Sequence, residues 1–295
     1  MAGQDVEAGE DGVFRIARTV ARDRLISTVD VEARHGHKSR ARTFDGYKSH
    51  FSVDPDDELI TNVAVTAANT ADREVIDELL DEPATGAPAA ATEPATAEDN
   101  DSDSQGGSES KDFEVYGDSA YAGGATLDEQ TQRGHDMRTK VPPVRNANGY
   151  SKDMFSIDLA AGTVTCPADH SVSIREGRRH RSARFGALCR SCPLRAACTT
   201  ARDGRVISIH PHEGALQHAK ARQKDPAWQQ DYRANRPVVE RKIGHFTRRP
   251  WGGRKARCRG RTRILTDILT RASAINLARP ATLGLHQDAN GWAIA

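Results

Sequence analysis

Apolar and polar residues alternate over 45–53, the turn-forming sequence PDDE follows at 55–58, and a second run rich in strand-forming residues covers 59–67. Alternation with a period of two is typical of strands that bury one face, so the two runs predict a β-hairpin. After the hairpin, apolar residues recur with helical spacing up to Pro83, which predicts a short helix that ends there. These apolar residues are Val75, Ile76, Leu79 and Leu80.

A β-α-β pattern follows further along the chain. Apolar and aromatic residues over 113–116 lead to Gly117, and this short run predicts a buried strand that ends in a turn. A helical run then ends at Gly134, a residue typical of a C-cap, and residues 137–143 predict another strand that two prolines close. The order β-β-α-β-α-β predicts an α/β fold with a mixed sheet.

The C-terminal third of the chain predicts helices. Residues 210–235 have a helical pattern in which an Asp-Pro pair begins a new helix. Pro237 either opens a third helix or kinks a continuous one. From Ile264 the apolar residues recur on one side of an amphipathic helix, which we expect to dock on the body of the protein.

Charge is separated along the chain, although the net charge is only +1. Residues 93–114 contain eight acids and one lysine, whereas residues 233–263 contain twelve Lys and Arg and one acid. The basic block predicts a surface for a polyanion. Residues 83–112 have no large apolar side chain and cannot bury enough surface to offset the entropy of ordering, so they predict a disordered acidic insertion.

The sequence excludes two classes of protein. It has no run of about 18 apolar residues, so it predicts no membrane span and no membrane partner. Its acidic, polar N-terminus is unlike a signal or transit peptide, which predicts a cytoplasmic protein. In that compartment free thiols are expected and disulfides are not.

Four of the five cysteines fall in one segment of the chain. Cys189 and Cys192 form a C-x2-C pair, Cys166 precedes the pair at the end of a strand-like run, and Cys198 follows six residues after it. Four thiolates with this spacing predict a tetrahedral structural Zn²⁺ site. The segment would then form a small zinc-ribbon-like subdomain.

Alternatives stay open for this cysteine cluster. An iron–sulfur cluster uses the same ligands, and His170 or His180 could replace one cysteine. The segment has few apolar residues, so we expect the metal to supply stability that burial cannot supply. Cys258 stands alone among arginines and is interpreted as a free thiol.

Asp118 comes directly after the strand predicted over 113–117. A carboxylate at a rigid strand end beside a glycine is well placed to bind a metal ion and to let a substrate approach closely. An aspartate in such a position is also a common turn residue or helix N-cap. The sequence leaves both interpretations open.

Glu240 is the one acid within the basic block and lies on a predicted helix. A lone carboxylate in a basic helix is most often the partner in an ion pair with the next turn. It is also the residue that a metal site at a phosphate-binding surface requires. The cations predicted to contact DNA phosphates are Arg233, Arg236, Arg241, Lys242, Arg248, Arg249, Arg254 and Lys255.

Several stretches together resemble the DDE-type transposases of bacterial and archaeal insertion sequences, in the branch that has a cysteine-containing insertion. The YRANRPVVERKIGHFTRR segment is similar to the family's Tyr/Arg/Glu helix, with Tyr232, Arg236 and Glu240 in corresponding places. The other matching stretches are FDGYKSHFSVDPD (44–56), VAVTAANTADREV (63–75), VYGDSAYAG (115–123) and the cysteine cluster.

The resemblance implies a ribonuclease H-like mixed sheet with flanking helices, and cleavage and joining of DNA strands with two Mg²⁺ ions. By position, Asp118 and Glu240 would be the second and third acids of the catalytic triad and would both bind Mg²⁺. The implied partner is DNA, as transposon ends and target, bound by a homodimer in an intact synaptic complex. The implied location is the cytoplasm, in association with the nucleoid.

The chain departs from the family at the first catalytic Asp. In the family this residue lies on the first strand, upstream of the Gly-Tyr-Lys hairpin, and nothing in this sequence matches that segment. Asp30 stands in a stretch similar to the connector before the hairpin. The chain therefore resembles the C-terminal portion of a longer transposase, without the strand that normally lies between the hairpin and the Asp118 strand.

We therefore expect a chain that binds DNA but cuts it poorly or not at all. The alternative is a non-catalytic, zinc-stabilised DNA-binding remnant or regulator; a host nuclease of the same fold would need a first-strand acid.

The sequence divides into an N-terminal connector (1–44), a first core segment (45–143), a cysteine-rich subdomain (144–210), C-terminal helices that complete the core (211–280) and a loose tail (281–295).

Overall fold

The computed structural model describes most of the chain as two compact units. The first unit consists of Met1–Asp103 and Ala234–Ala295, and the second of Ser104–Arg233. The acidic insertion predicted over 83–112 and the predicted DNA contact Arg249 lie outside the described residues. The described residues are 6–8, 12–16, 21, 23–39, 41–81, 113–146, 149–177, 180–248, 250, 253–289 and 291–294.

Short strands and a few longer helices make up both units. The strands are β1 (Val6–Ala8), β2 (Phe14–Ile16), β3 (Arg34–Ser39), β4 (Arg42–Val53), β5 (Ile60–Ala67), β6 (Glu114–Tyr116), β7 (Asp136–Arg138), β8 (Ser156–Asp158), β9 (Thr163–Thr165), β10 (Ser171–Arg175), β11 (Ser182–Arg184), β12 (Val206–Ser208), β13 (His286–Asp288) and β14 (Gly291–Ala293). The helices are α1 (Ile76–Leu80), α2 (Gly124–Gln132), α3 (Arg195–Cys198), α4 (Glu213–Arg222), α5 (Pro226–Phe246) and α6 (Arg261–Thr282).

The predicted hairpin is confirmed as β4 and β5, which pair antiparallel with Tyr47 opposite Ala67. β3 pairs with the first part of β4, so the first unit contains a sheet in the order β3-β4-β5. β5 is buried on both faces, because Ala64 packs against α1 while Val63 and Val65 belong to the core that α6 covers. Burial on both faces explains why the sequence of β5 is almost continuously apolar.

Helix α6 covers this hairpin with the amphipathic side that the sequence predicts. Ile264, Ile268, Ala272 and Ile275 are all buried and recur every three or four residues. Asn276 fixes the helix to β5, because its Nδ2 donates a hydrogen bond to the carbonyl of Ile60 at 2.8 Å and its Oδ1 accepts one from the Ile60 N–H at 2.9 Å. The predicted docking of this helix is therefore confirmed.

The second unit contains the predicted β-α-β pattern. β6 and β7 pair in parallel with Tyr116 opposite Arg138, and α2 connects them. Helix α2 is followed by Gly134 with a φ of 87°, a left-handed conformation that glycine adopts without strain.

The rest of this unit holds an antiparallel five-stranded sheet in the order β12-β11-β10-β9-β8. Beside this sheet, Val164 and Ala183 are fully buried together with Phe155, Phe185 and Ile207. The expectation that the cysteine segment has no core of its own is therefore wrong. The error came from composition, since a few large apolar residues at alternating strand positions are enough to form this cluster.

Helix α5 is continuous through Pro237, so no third helix begins at this residue. Before β3, residues 24–27 have no regular structure and residues 28–30 form a bend. The predicted loose tail contains the hairpin of β13 and β14. Among the described residues, no helix combines the length and the apolar character that crossing a membrane requires.

Candidate active site

Asp118 lies immediately after β6 and is exposed. It caps the 3₁₀ turn Ser119–Tyr121, because its Oδ1 accepts a hydrogen bond from the Ala120 N–H at 2.8 Å. The interpretation of Asp118 as a cap is thus realised in the structure. The cap uses one carboxylate oxygen and keeps the carboxylate at the surface, where it remains accessible to a metal ion.

The strand end beside Asp118 is held in place by a hydrogen bond from a tyrosine whose ring is itself packed. The hydroxyl of Tyr232 on α5 donates a hydrogen bond to the carbonyl of Gly117 at 2.9 Å. The Tyr232 ring stacks on Trp228 with 5.1 Å between centroids, and the Nζ of Lys140 lies 4.8 Å from the Tyr232 centroid. A Cβ at position 117 would lie 2.8 Å from the Cγ2 of Thr139, so only glycine fits this approach.

A polar network joins the two parallel strands to α5. Arg138 on β7 forms ion pairs with Glu114, Asp136 and Asp231. The hydroxyl of Tyr116 donates to Glu114 at 2.6 Å and to Asp231 at 3.0 Å, and burial together with these carboxylates raises its pKa. Sequence reasoning missed this network, because only the parallel register of β6 and β7 brings Tyr116 beside Arg138.

Glu240 lies on α5 and its side chain is 69% exposed. Its Oε1 is 3.4 Å from the Nη2 of Arg236, one helical turn earlier. The ion-pair interpretation of Glu240 is therefore realised, although high exposure makes such a pair weak. Asp118 belongs to the second unit and Glu240 to the first.

The predicted DNA contacts differ in their accessibility. Arg236 is largely buried, with 15% of its side chain exposed, and Lys242 is buried. The remaining predicted cations within the described residues are exposed: Arg233, Arg241, Arg248, Arg254 and Lys255.

Lys242 is held inside the first unit by Glu58, at a distance of 3.6 Å. Glu58 lies in the turn between β4 and β5 with a φ of 57°, and it also pairs with Arg241 at 2.7 Å and Arg279 at 3.9 Å. The hydrogen bond from Arg241 lowers the pKa of Glu58, and burial lowers the pKa of Lys242. The structure gives Lys242 a structural contact and not the exposed position that a phosphate contact needs.

The four clustered cysteines line one pocket of the second unit, with a volume of about 380 Å³ including its open mouth. Cys189 and Cys198 are buried, whereas Cys166 and Cys192 are partly exposed. Burial raises the pKa of Cys198. The Nδ1 of His170, a spare donor in the sequence analysis, is 3.8 Å from the Sγ of Cys166.

His180, the other spare donor, is exposed and is not among the residues that line this pocket. Cys258 lies apart, half-buried against the core under α6.

Within the described residues, no group of three or more His, Cys, Asp or Glu side chains is arranged to hold a metal ion. The four cysteines share a pocket without their sulfur atoms being gathered at bonding distance from one centre. Mg²⁺ binding by Asp118 and Glu240, and Zn²⁺ binding by the cysteines, therefore stay predictions.

Comparison with known proteins gives a match for one part of the chain. Residues 165–281 match a protein-family model described as a transposase DDE domain. This range contains Glu240 and all four clustered cysteines, and Asp118 lies before it. No curated protein and no solved structure matches the chain. The match confirms the resemblance to DDE-type transposases, and the mixed α/β content is compatible with a ribonuclease H-like domain of this kind.

Proposed function

We propose that this chain cleaves and joins DNA strands, with Asp118 and Glu240 as two of the catalytic acids, because residues 165–281 match the family model described as a transposase DDE domain. Such a domain implies DNA as the partner and a divalent metal ion such as Mg²⁺ as the cofactor. The family match over α5 and the anchored, exposed carboxylate of Asp118 support this assignment.

The chemistry of both acids suits the binding of a magnesium ion. Each is an exposed carboxylate, and Mg²⁺ is commonly bound by one or two carboxylates, water and substrate phosphates without an all-protein cage. The lack of a preassembled three-donor group among the described residues is therefore compatible with such an ion. Asp118 and Glu240 would hold such ions, which would supply activation of a water or a 3′-hydroxyl and stabilisation of charge on the leaving oxygen.

Local contacts position each acid within its own unit. In the second unit, Tyr232 donates a hydrogen bond to the carbonyl of Gly117, next to Asp118. Glu240 lies in the first unit, on the part of α5 that begins at Ala234. Arg236 pairs with the Glu240 carboxylate from the preceding turn. In the proposed complex, the exposed cations of α5 and of the loop after it neutralise phosphates near the cut.

The third acid is not assigned to this chain's described residues. Asp30 accepts a hydrogen bond from the Tyr47 hydroxyl at 2.5 Å and lies in a bend, not at a strand end. In the described residues, β6 pairs only with β7, and residues 47–53 of β4 pair only with β5. Within the described residues, neither strand therefore shows the neighbour that carries the first acid in the family that the chain resembles.

Cleavage by this chain alone is therefore expected to be weak or absent. The test measures Mg²⁺-dependent nicking of a supercoiled plasmid together with DNA binding, for the unmodified protein and for Asp118→Asn and Glu240→Gln. Asn can still accept the Ala120 hydrogen bond, so the turn is preserved. We expect DNA binding in all three proteins and little nicking in any of them.

Other outcomes of this assay are equally informative. Strong nicking that both replacements abolish would show that the chain supplies a complete set of acids. Strong nicking that neither replacement affects would contradict the assignment of Asp118 and Glu240. Glu129→Gln, which changes an exposed glutamate of α2, is the matched control and is expected to behave like the unmodified protein.

A non-catalytic DNA-binding protein is the second candidate. It is favoured by the local contacts of both acids, since Asp118 caps a turn and Glu240 pairs with Arg236. This candidate predicts DNA binding that depends on the basic residues and no metal binding at the two acids. The Zn²⁺ predicted at the four cysteines would be structural in either case and takes no part in strand cleavage.

A further inference from the structure

We propose that Cys166, Cys189, Cys192 and Cys198 bind one Zn²⁺ ion as four thiolates, and that Arg195 and Arg205 compensate the charge of this centre. The proposal is independent of strand cleavage, since it concerns a pocket of the second unit that has no part in the proposed chemistry. The side chains of all six residues line that pocket.

The backbone presents the cysteines in tight turns. Cys166 directly follows β9, and the turn after it is closed by a hydrogen bond from the Asp169 N–H to the Cys166 carbonyl and one from the Cys166 N–H to the His170 carbonyl, both 2.9 Å. Asp169 has a φ of 58°, which makes the turn sharp. This short turn places Cys166 at the end of a strand hairpin, in the wall of the pocket.

The other three cysteines come from one short segment. Cys189 ends the 3₁₀ turn Gly186–Cys189, Cys192 follows three residues later, and Cys198 ends α3. The N–H of Arg195 donates to the Cys192 carbonyl at 3.1 Å and so continues the chain from the pair into α3. Two separate segments, one with Cys166 and one with the other three, therefore meet at this pocket, as in a structural zinc site.

The surroundings of the cysteines suit thiolates. The backbone N–H of Arg205 donates a hydrogen bond to the Sγ of Cys189 at 3.4 Å. Donors of this kind orient a metal-binding sulfur and stabilise its negative charge. Phe155, Phe185 and Leu188 also line the pocket, so part of its wall is apolar.

The proposed centre is negatively charged, and two arginines of the pocket would offset this charge. Four thiolates and one Zn²⁺ carry a net charge of −2, which is costly to bury without nearby cations. The guanidinium of Arg205 is fixed by a hydrogen bond to the Tyr150 carbonyl at 2.8 Å, and Arg195 is fixed by bonds to the carbonyls of Cys189, Ala201 and Arg202. The Nε of Arg205 is buried without a partner in the described part of the chain, a position that a nearby negative charge would stabilise.

The metal ion must draw the thiols together. The described residues hold no preassembled group of donors, and a Zn–S bond is about 2.3 Å long. The four side chains belong to residues that line one pocket, and their closure around the ion would give a four-coordinate, closed and structural site. Because Cys189 and Cys198 belong to the apolar cluster beside the five-stranded sheet, the ion would lock the segment 186–198 onto that sheet.

The test is metal analysis of the full chain, followed by exchange of the bound metal for Co²⁺. Tetrahedral thiolate coordination of Co²⁺ gives intense ligand-field and sulfur-to-cobalt absorption bands. We expect about one Zn²⁺ per chain, and at least about a 10-fold loss of metal affinity when any of the four cysteines is replaced by Ser. Cys258→Ser is the matched control and His170→Ala tests the spare donor; both are expected to leave the absorption unchanged.

Several results would overturn the proposal. They are a chain without stoichiometric metal, an iron–sulfur chromophore, a cluster variant that keeps the full Co²⁺ spectrum, or a His170→Ala variant that loses it. If the cysteine variants do not fold, removal of Zn²⁺ from the unmodified chain by a chelator replaces them. We then expect backbone hydrogen exchange in β8–β12 to accelerate, and to slow again when Zn²⁺ is restored. Exchange rates that do not change with Zn²⁺ would refute the structural role.

Discussion

Replacement of Phe246 by Ala is expected to lower the free energy of unfolding by about 3–5 kcal/mol, the range for truncation of a buried aromatic side chain. Phe246 ends α5 and is buried in the core between the hairpin and α6. Its ring lies 4.8 Å from that of Phe51, and the guanidinium of Arg271 lies 4.7 Å from its centroid. The replacement would therefore leave a cavity and remove a cation–π interaction.

Urea denaturation followed by circular dichroism measures this change in stability. Leu277→Ala is the control, because Leu277 lies on α6 and is 80% exposed; its replacement is expected to change the free energy of unfolding by less than about 0.5 kcal/mol. Equal stabilities of the two variants would mean that α5 and α6 do not pack on the hairpin as described.

The second large effect concerns the salt dependence of DNA binding. The combined replacement of Arg248, Arg254 and Lys255 by Gln is expected to reduce the slope of log K against log salt concentration by about 2.7, or about 0.9 for each phosphate that the protein no longer neutralises. All three side chains are exposed, at the end of α5 or in the loop that follows. Fluorescence anisotropy with a labelled DNA duplex at several salt concentrations gives the slope.

A matched triple variant separates a specific basic surface from the effect of net charge. Arg73→Gln, Arg175→Gln and Arg184→Gln together remove the same charge from exposed positions outside the basic block. We expect this variant to keep the slope of the unmodified protein. If both triple variants reduce the slope equally, the DNA surface is not confined to α5 and its following loop.

Periodicity predicted the elements whose signal lies in neighbouring residues. The hairpin, α2 and α6 follow from alternating or helical spacing, and the structure places them as expected. The cysteine pocket also follows from spacing, because the C-x2-C pair and its two companions are recognisable without any contact information.

Other features depend on contacts between distant residues and have no local signal. Glu58 looks like one more acid in a polar turn, yet it pairs with Lys242 and Arg241, which are more than 180 residues away. The burial of Lys242 and the role of Arg138 likewise emerge only from tertiary packing. Sequence reasoning therefore overestimated the number of cations available for DNA and missed the polar network beside Asp118.

The assignment of Asp118 and Glu240 combines both kinds of information. Their positions come from the strand end and from the basic helix, and the resemblance gives them a shared role. The structure adds that both carboxylates are exposed and that Tyr232 fixes the strand end beside Asp118. Binding of a divalent metal ion is the property that would unite them.

The most direct test of this account is Mn²⁺ binding, with Mn²⁺ in place of Mg²⁺, measured by electron paramagnetic resonance in the presence of a DNA duplex. The account predicts that the unmodified chain binds Mn²⁺, that Asp118→Asn and Glu240→Gln each weaken binding by at least about 10-fold, which corresponds to about 1.4 kcal/mol, and that Glu129→Gln has no effect. Mn²⁺ binding that is absent in the unmodified chain, or that survives unchanged in both Asp118→Asn and Glu240→Gln, would contradict it.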